Sequence, residues 1–244
     1  TSMGVPVVGC ECGVCQSTDS RDKRLRTSAF IRFRDVSILI DTSVDYRQQM
    51  LRAGKKWIDA VLYTHHHVDH ILGMDDLRSL NLLFHYKIPI YAHSETMENI
   101  KRIFSYVFAD EEVPSDIPQI EAHVIDENPF EIIGVRITPI PLWHGKMKVF
   151  GYRIGDFAYC TDVNNIPESS YERLRDLKIL ILGALRFRPH PTHFSIAEAI
   201  EEAIKIGAEK TYFIHMTHEV PYEETERQLP PNIHLAYDGL KLFI

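Results

Sequence analysis

Apolar residues fall along the chain in short runs that end on polar ones. Ala29-Phe30-Ile31-Arg32-Phe33-Arg34 and Val36-Ser37-Ile38-Leu39-Ile40 break at Asp35, which predicts a β-hairpin whose second strand ends at Asp41, with a helix over 44–53 to follow. Asp59-Ala60-Val61-Leu62-Tyr63 reads as a short buried strand and Ile88-Pro89-Ile90-Tyr91-Ala92 as another. A helix is expected to start near Ser94, with Glu95 and Glu98 in its first turns. Strands are expected around 120–125, 132–139, 149–154 and 157–161, then helix-strand units with a helix over 195–206 and a strand through Thr211-Tyr212-Phe213-Ile214. The acidic stretch from Asp110 to Pro118, with two prolines, reads as a loop over a site and not as a domain linker. No segment repeats at a fixed period, so a single domain over 1–244 is expected.

The candidate chemistry gathers at the ends of these runs. Thr64-His65-His66-His67-Val68-Asp69-His70 packs imidazoles and a carboxylate directly after the strand at 59–63. In an extended segment His65 and His67 point the same way, with Asp69 and His70 on the turn that follows, an arrangement suited to two adjacent metals. A solvated loop has no need of several imidazoles that begin to charge and repel near neutral pH, and a purification tag is terminal and lacks the interposed Asp. Further strand ends carry His144 in Pro141-Leu142-Trp143-His144, Asp162 after Phe157-Ala158-Tyr159-Cys160-Thr161, and His215 with His218 three residues on. A carboxylate such as Asp162 can bridge two divalent ions through its two oxygens.

Cys10-Glu11-Cys12-Gly13-Val14-Cys15 holds three of the four cysteines, with Cys160 far away. Disulfides between such near neighbours are strained, whereas thiolates at this spacing clasp a tetrahedral zinc that takes one more ligand from elsewhere. The alternative is an incidental cysteine cluster.

Composition narrows the partners more than the chemistry. The 244 residues are 45% hydrophobic and 25% charged, ordinary for a globular chain that can bury a full core. A formal charge of −7 provides no basic field for long nucleic acid, although bound divalent metals would add local positive charge. No apolar run is long enough to span a bilayer and the start lacks the regions of a signal peptide, so no membrane partner and a cytoplasmic location are expected.

His65-x-His67-x-Asp69-His70 resembles the signature of the metallo-β-lactamase-fold hydrolases, and His144, Asp162 and His215 follow in that family's order. The resemblance implies an α/β fold, the αβ/βα four-layer sandwich of two β-sheets flanked by helices. It also implies a dinuclear site in which His65, His67 and His144 hold one metal, Asp69, His70 and His215 the other, and Asp162 bridges them. Asp41 would support the histidines from behind, although a polar strand end explains it equally. The family also contains oxygen-reducing di-iron proteins with a glutamate where His67 stands, so His67 argues for hydrolysis. Zinc, manganese and iron all suit the ligand set.

Gly4-Val5-Pro6, Gly9-Cys10-Glu11-Cys12-x-x-Cys15 and His215-x-x-His218 resemble the phosphonate-pathway cyclic phosphodiesterase subgroup. That likeness implies a structural zinc on Cys10, Cys12, Cys15 and His218, and a strand upstream of Thr1. It implies catalysis by Asp69 and His193, the latter near the scissile bond of a small, cyclic sugar or nucleoside phosphodiester cleaved by metal-bound hydroxide. Arg78, Arg186 and Arg188 are candidate phosphate contacts, each equally a surface arginine. A tRNA 3′-processing-type nuclease is the first alternative, though no basic Gly-, Lys- and Arg-rich arm is present. A thioester or lactone hydrolase and a non-catalytic zinc-binding protein are the others, and a homodimer is left open.

Overall fold

The computed structural model describes residues 1–109 and 116–243. The expected loop from Asp110 to Pro118 therefore lies largely outside the described residues. In chain order the elements are α1 (Gly13–Gln16), β1 (Ala29–Phe33), β2 (Val36–Ile40), α2 (Tyr46–Ala53), β3 (Ala60–Leu62), α3 (Val68–Ile71), α4 (Arg78–Phe84), β4 (Ile88–His93), α5 (Ser94–Ile103), β5 (Ile120–Ile125) and β6 (Phe130–Ile132). There follow β7 (Val135–His144), β8 (Met147–Ile154), β9 (Phe157–Cys160), α6 (Glu168–Tyr171), β10 (Ile179–Gly183), α7 (Ile196–Ile206), β11 (Lys210–Ile214), α8 (Tyr222–Glu226) and β12 (Ile233–Leu235). Contacts divide the chain into two compact units, one of residues 27–135 and one of 1–26 with 136–244. This α/β chain has two mixed sheets with helices beside them, the architecture of the metallo-β-lactamase fold.

In the 27–135 unit the sheet order is β1-β2-β3-β4-β5. The predicted hairpin β1–β2 is antiparallel, and β2, β3, β4 and β5 run parallel. Ala60, Val61 and Leu62 are all buried, so β3 reads as an unbroken apolar run because both of its faces are covered. Leu39, Val61 and Ile90 share one apolar cluster with Tyr46, Met50, Leu80, Met97 and Ile100 of α2, α4 and α5. Since β2, β3 and β4 are parallel, their carboxyl ends, at Asp41, Tyr63 and Ser94, face the same edge of the sheet.

In the other unit the strand order runs β12-β11-β10-β9-β8-β7. β9 to β12 are mutually parallel, while β8 is antiparallel to both of its neighbours, so β7 points the same way as β9. This orientation brings the ends of β7, β9 and β11, and with them His144, Asp162 and His215, to one edge. A second cluster built from Ile140, Leu182, Phe194, Ala199 and Phe213 ties α7 to these strands.

The expected strand over 132–139 is in fact two. Ile133 and Gly134 take positive φ in a tight turn, which ends β6 and lets β7 run on to His144. The helix expected from 195 begins at Ile196, with Ser195 and Glu198 forming a capping box at its start. Asp69 and His70, expected on a turn, lie within α3, with His67 as the residue that caps it.

Gly73 shows how closely the strand-end turns are packed. A Cβ built on it would overlap the Ser43 carbonyl oxygen and lie 2.6 Å from the Tyr46 Cβ, and its N–H donates to the Thr42 carbonyl at 2.9 Å. Gly73→Ala is expected to destabilise the fold by about 1–3 kcal/mol, as overpacking does. Chemical denaturation measures this; an unchanged midpoint would show that the turn yields freely.

Candidate metal centres

The 27–135 unit presents His65, His67, Asp69 and His70 immediately after β3. The His65 ring lies 4.7 Å from that of His67 and 4.2 Å from that of His70, and His70 Nε2 is 3.4 Å from Asp69 Oδ2. Behind them sits Asp41, fully buried, with φ at +61°. Its Oδ1 accepts from the Thr64 N–H at 2.8 Å, and its Oδ2 accepts from the Thr64 hydroxyl at 2.8 Å and from His70 Nδ1–H at 2.7 Å. Because the Thr64 hydroxyl gives its proton to Asp41, its oxygen accepts from His65 Nδ1–H at 2.9 Å. Burial pushes the Asp41 carboxyl above the usual carboxylate range, and the His70 and Thr64 interactions pull it back.

The consequence is a fixed tautomer for two rings. With Nδ1 protonated, His65 and His70 each keep the Nε2 lone pair that a metal needs. The donor set of imidazoles and a carboxylate fits divalent zinc, manganese or iron. Asp41 thus holds two candidate ligands, His70 directly and His65 through Thr64; Thr64 escaped the sequence reading because nothing distinguishes it from any strand-end threonine.

In the other unit His144, Asp162, His193 and His215 come together. His144 Nδ1–H donates to the Thr192 carbonyl at 2.6 Å, so its Nε2 lone pair is also presented. Asp162 Oδ2 is 3.4 Å from His215 Nε2 and 3.9 Å from His193 Nε2, while Asp162 Oδ1 accepts from the Thr161 hydroxyl at 2.6 Å. The His193 ring stacks on His215 at 5.0 Å and lies 4.5 Å from the His144 ring. Burial pushes the His193 pKa down to about 3, against the pull of Asp162 and with the help of the His215, His144 and His190 charges. His190, read as ordinary from the sequence, has its ring 5.1 Å from His193.

The candidate arginines are partnered. Arg78, half exposed on the first turn of α4, lies 3.5 Å from Asp75. Arg186 and Arg188 lie 3.7 Å and 3.0 Å from Glu219, and Arg186 also donates to the Pro189 carbonyl at 3.3 Å.

Cys10, Cys12, Cys15 and His218 form a separate cluster. Their sulfurs lie 3.2, 3.4 and 3.6 Å from His218 Nδ1. A tetrahedral zinc with Zn–S of about 2.3 Å and Zn–N of about 2.0 Å has S···N edges of about 3.5 Å, so the cage already has the required size. Cys12 caps α1, and the Cys15 N–H aimed at its sulfur is the main cause that draws its pKa down to about 6, while burial pushes the Cys15 thiol up. The segment carrying His218 is clamped by the buried Arg24, which donates to the Thr217 carbonyl at 2.8 Å and the Val220 carbonyl at 2.7 Å. Arg24 in turn pairs with the backbone of Val5.

With this geometry in view the relatives are informative. The beta-lactamase superfamily domain model matches residues 37–216. A crystal structure of a new diphosphatase from the PhnP family is 45% identical, with a TM-score of 0.93 over 100% of this chain and 94% of that one. The chain therefore belongs to the beta-lactamase superfamily and to its PhnP-like subgroup. Zinc-bound PqqB from Methylobacterium extorquens (20% identity, TM-score 0.77, 99% and 96% covered) and human tRNase Z, short form (18%, 0.66, 89% and 92%), share the fold. Among curated proteins, an octanoyltransferase from Porphyromonas gingivalis is 40% identical over 248 residues, which is 100% of this chain and 50% of that protein. The chain spans about half the length of this curated relative. Among the described residues no helix is long and apolar enough to cross a membrane.

Two substitutions test the supports. Asp41→Asn replaces an acceptor with a mixed group and is expected to weaken metal binding about 10–100-fold, the usual effect of losing such a support; isothermal titration with Zn²⁺ measures it, and undiminished affinity would remove Asp41 from this role. Cys12→Ser is expected to lose one zinc per chain by elemental analysis and to lower the melting temperature, since a closed zinc site contributes folding free energy. Unaltered zinc content in that variant would refute the cage.

Proposed function

We propose that this chain is a metal-dependent hydrolase that cleaves a small phosphodiester, including cyclic sugar or nucleoside phosphates, at a dinuclear centre whose ligands are His65, His67, Asp69, His70, His144, Asp162 and His215. A structural zinc on Cys10, Cys12, Cys15 and His218 completes the metal inventory. The observation that carries the reading is His193, whose Nε2 lies 3.9 Å from Asp162 and whose ring stacks on His215, beside two of these ligands without a place among the seven. The diphosphatase relative at 45% identity supports phosphorus as the reacting centre, because a diphosphate linkage is also a phosphorus centre with two substituents.

Two divalent cations bound there would acidify a water and neutralise charge on the phosphoryl oxygens. The chain's own residues do the rest. Asp41, Thr64 and the Thr192 carbonyl hold His70, His65 and His144 in the tautomer with Nε2 free of its proton. An anionic diester beside His193 would draw its pKa upward by opposite charge, so that the ring takes up a proton from solvent. It then gives a proton to the departing alkoxide, a poor leaving group that gains about 10²–10⁴-fold from a positioned acid.

A second reading is an acyl thioester hydrolase, favoured by the octanoyltransferase relative. That protein is twice as long as the matched region, so its name can describe its other half, and the phosphodiester reading is preferred. A tRNA-processing nuclease has less support: the tRNase Z neighbour shares fold alone, and the formal charge of −7 offers no field for a long polyanion.

Asp162→Ala is expected to abolish hydrolysis of bis(p-nitrophenyl) phosphate while the chain stays folded by circular dichroism. His193→Ala is expected to slow a nucleoside 2′,3′-cyclic phosphate far more than the p-nitrophenyl ester, whose activated leaving group needs less help. Equal losses on both substrates would remove the acid role. Turnover of an octanoyl thioester alone, or of precursor tRNA with small diesters untouched, would overturn the substrate class.

A further inference from the structure

The three segments that bring His144, Asp162 and His193 together are joined by one side chain, Asn164. It stands two residues after Asp162, and its backbone N–H donates to the Trp143 carbonyl at 3.0 Å, beside His144. Its Oδ1 accepts from the Gly145 N–H at 2.7 Å, on the other side of His144. Its Nδ2 donates to the Pro191 carbonyl at 3.0 Å, two residues before His193. A carboxamide is suited to this position because it alone among short side chains carries an acceptor and a donor on one planar group. Asp lacks the donor, and Ser lacks the span.

Neighbouring contacts run between the same segments. Trp143 N–H donates to the Asn165 carbonyl at 3.0 Å, Phe194 N–H to the Val163 carbonyl at 2.8 Å, and His144 Nδ1–H to the Thr192 carbonyl. Gly145 takes φ at +64°, and a Cβ on it would come within 2.8 Å of Thr192 Cγ2, so the turn after β7 and the loop before α7 are held almost in contact. Asn164 is only partly buried, so it adds little to the core. Its side chain contributes the two bonds to Gly145 and Pro191.

We infer that Asn164 is a positioning residue for the metal ligands of this unit, fixing His144 and the His193 loop against Asp162. The inference rests on the reading that His144 and Asp162 bind metal. Removing the fork leaves the Gly145 N–H and the Pro191 carbonyl to find other partners, and the Thr192 carbonyl that sets the His144 tautomer loses its anchor one residue away. Metal affinity and turnover should therefore fall together, with little change in KM, because the loss acts on the reacting groups and not on substrate contacts.

The test is Co²⁺ titration of the full chain after its metals are removed by dialysis against a chelator. Thiolate-to-cobalt charge-transfer absorption reports the cysteine cage, and the weaker visible bands report the imidazole and carboxylate ligands. For Asn164→Ala the expected outcome is about 10–100-fold weaker Co²⁺ binding in the visible bands, the loss usual for an outer support, with the thiolate band unchanged. Asn164→Asp keeps the acceptor for Gly145 but not the donor for Pro191, and should fall between Asn164→Ala and wild type. Asn165→Ala, at a position that enters these contacts through its backbone carbonyl, should match wild type. Wild-type Co²⁺ affinity and spectrum in folded Asn164→Ala would overturn the inference; should that variant not fold, the same result in Asn164→Asp would do so. Failure of the wild-type enzyme to cleave any diester would sink the proposed function while leaving this comparison intact.

Discussion

An imidazole can offer a metal one lone pair only if its other nitrogen carries the proton, and when the ring is buried that proton must meet an acceptor. Both units of this chain are built around this requirement. Asp41 takes the proton of His70 directly and that of His65 through the Thr64 hydroxyl, and the Thr192 carbonyl takes that of His144. The acceptors are a carboxylate, a hydroxyl already committed to it, and a backbone oxygen, none of which can swap roles without breaking a bond. The orientation of these candidate ligand rings is therefore set by the groups behind them.

Strain collects at the same points. Asp41, Asp162 and His215 all take positive φ, a conformation L residues with a Cβ avoid, and each directly follows a strand or stands one residue beyond it. A strand that ended in ordinary geometry would carry its last side chain along the pleat. The left-handed step turns it, and parallel neighbours on the sheet hold the turned residue in place. Gly73 in one unit and Gly145 in the other mark how closely the adjoining loops must approach for this to work.

The cysteine cage belongs to the same economy of fixed loops. Its histidine lies three residues beyond His215, and Arg24 grips the carbonyls on both sides of it. The turn after β11 is thereby anchored from the N-terminal segment, by three sulfurs and a buried guanidinium, as well as from the strand that precedes it. Burial lowers the tendency of Arg24 to hold its proton, but Asp22 and the two carbonyls repay it with partners.

By itself the sequence determined many of the strands, because a short apolar run such as Ala60-Val61-Leu62 between polar residues suits a strand covered on both faces, and it determined which residues cluster locally, from His65 to His70 and from Cys10 to Cys15. It also carried the family, since ligand types in a fixed order survive as a linear pattern. It did not reveal the split of 132–139 at Ile133 and Gly134, where two residues at positive φ outvote an apolar run. Nor did it reveal Thr64, His190 or Asn164, or the engagement of Arg186 and Arg188 with Glu219. Those assignments depend on which strand ends share an edge and which loop carbonyls lie within 3 Å of a donor. They are fixed by the parallel order of the strands and the close approach of the turns, contacts between residues distant in the chain that leave no periodic trace along it.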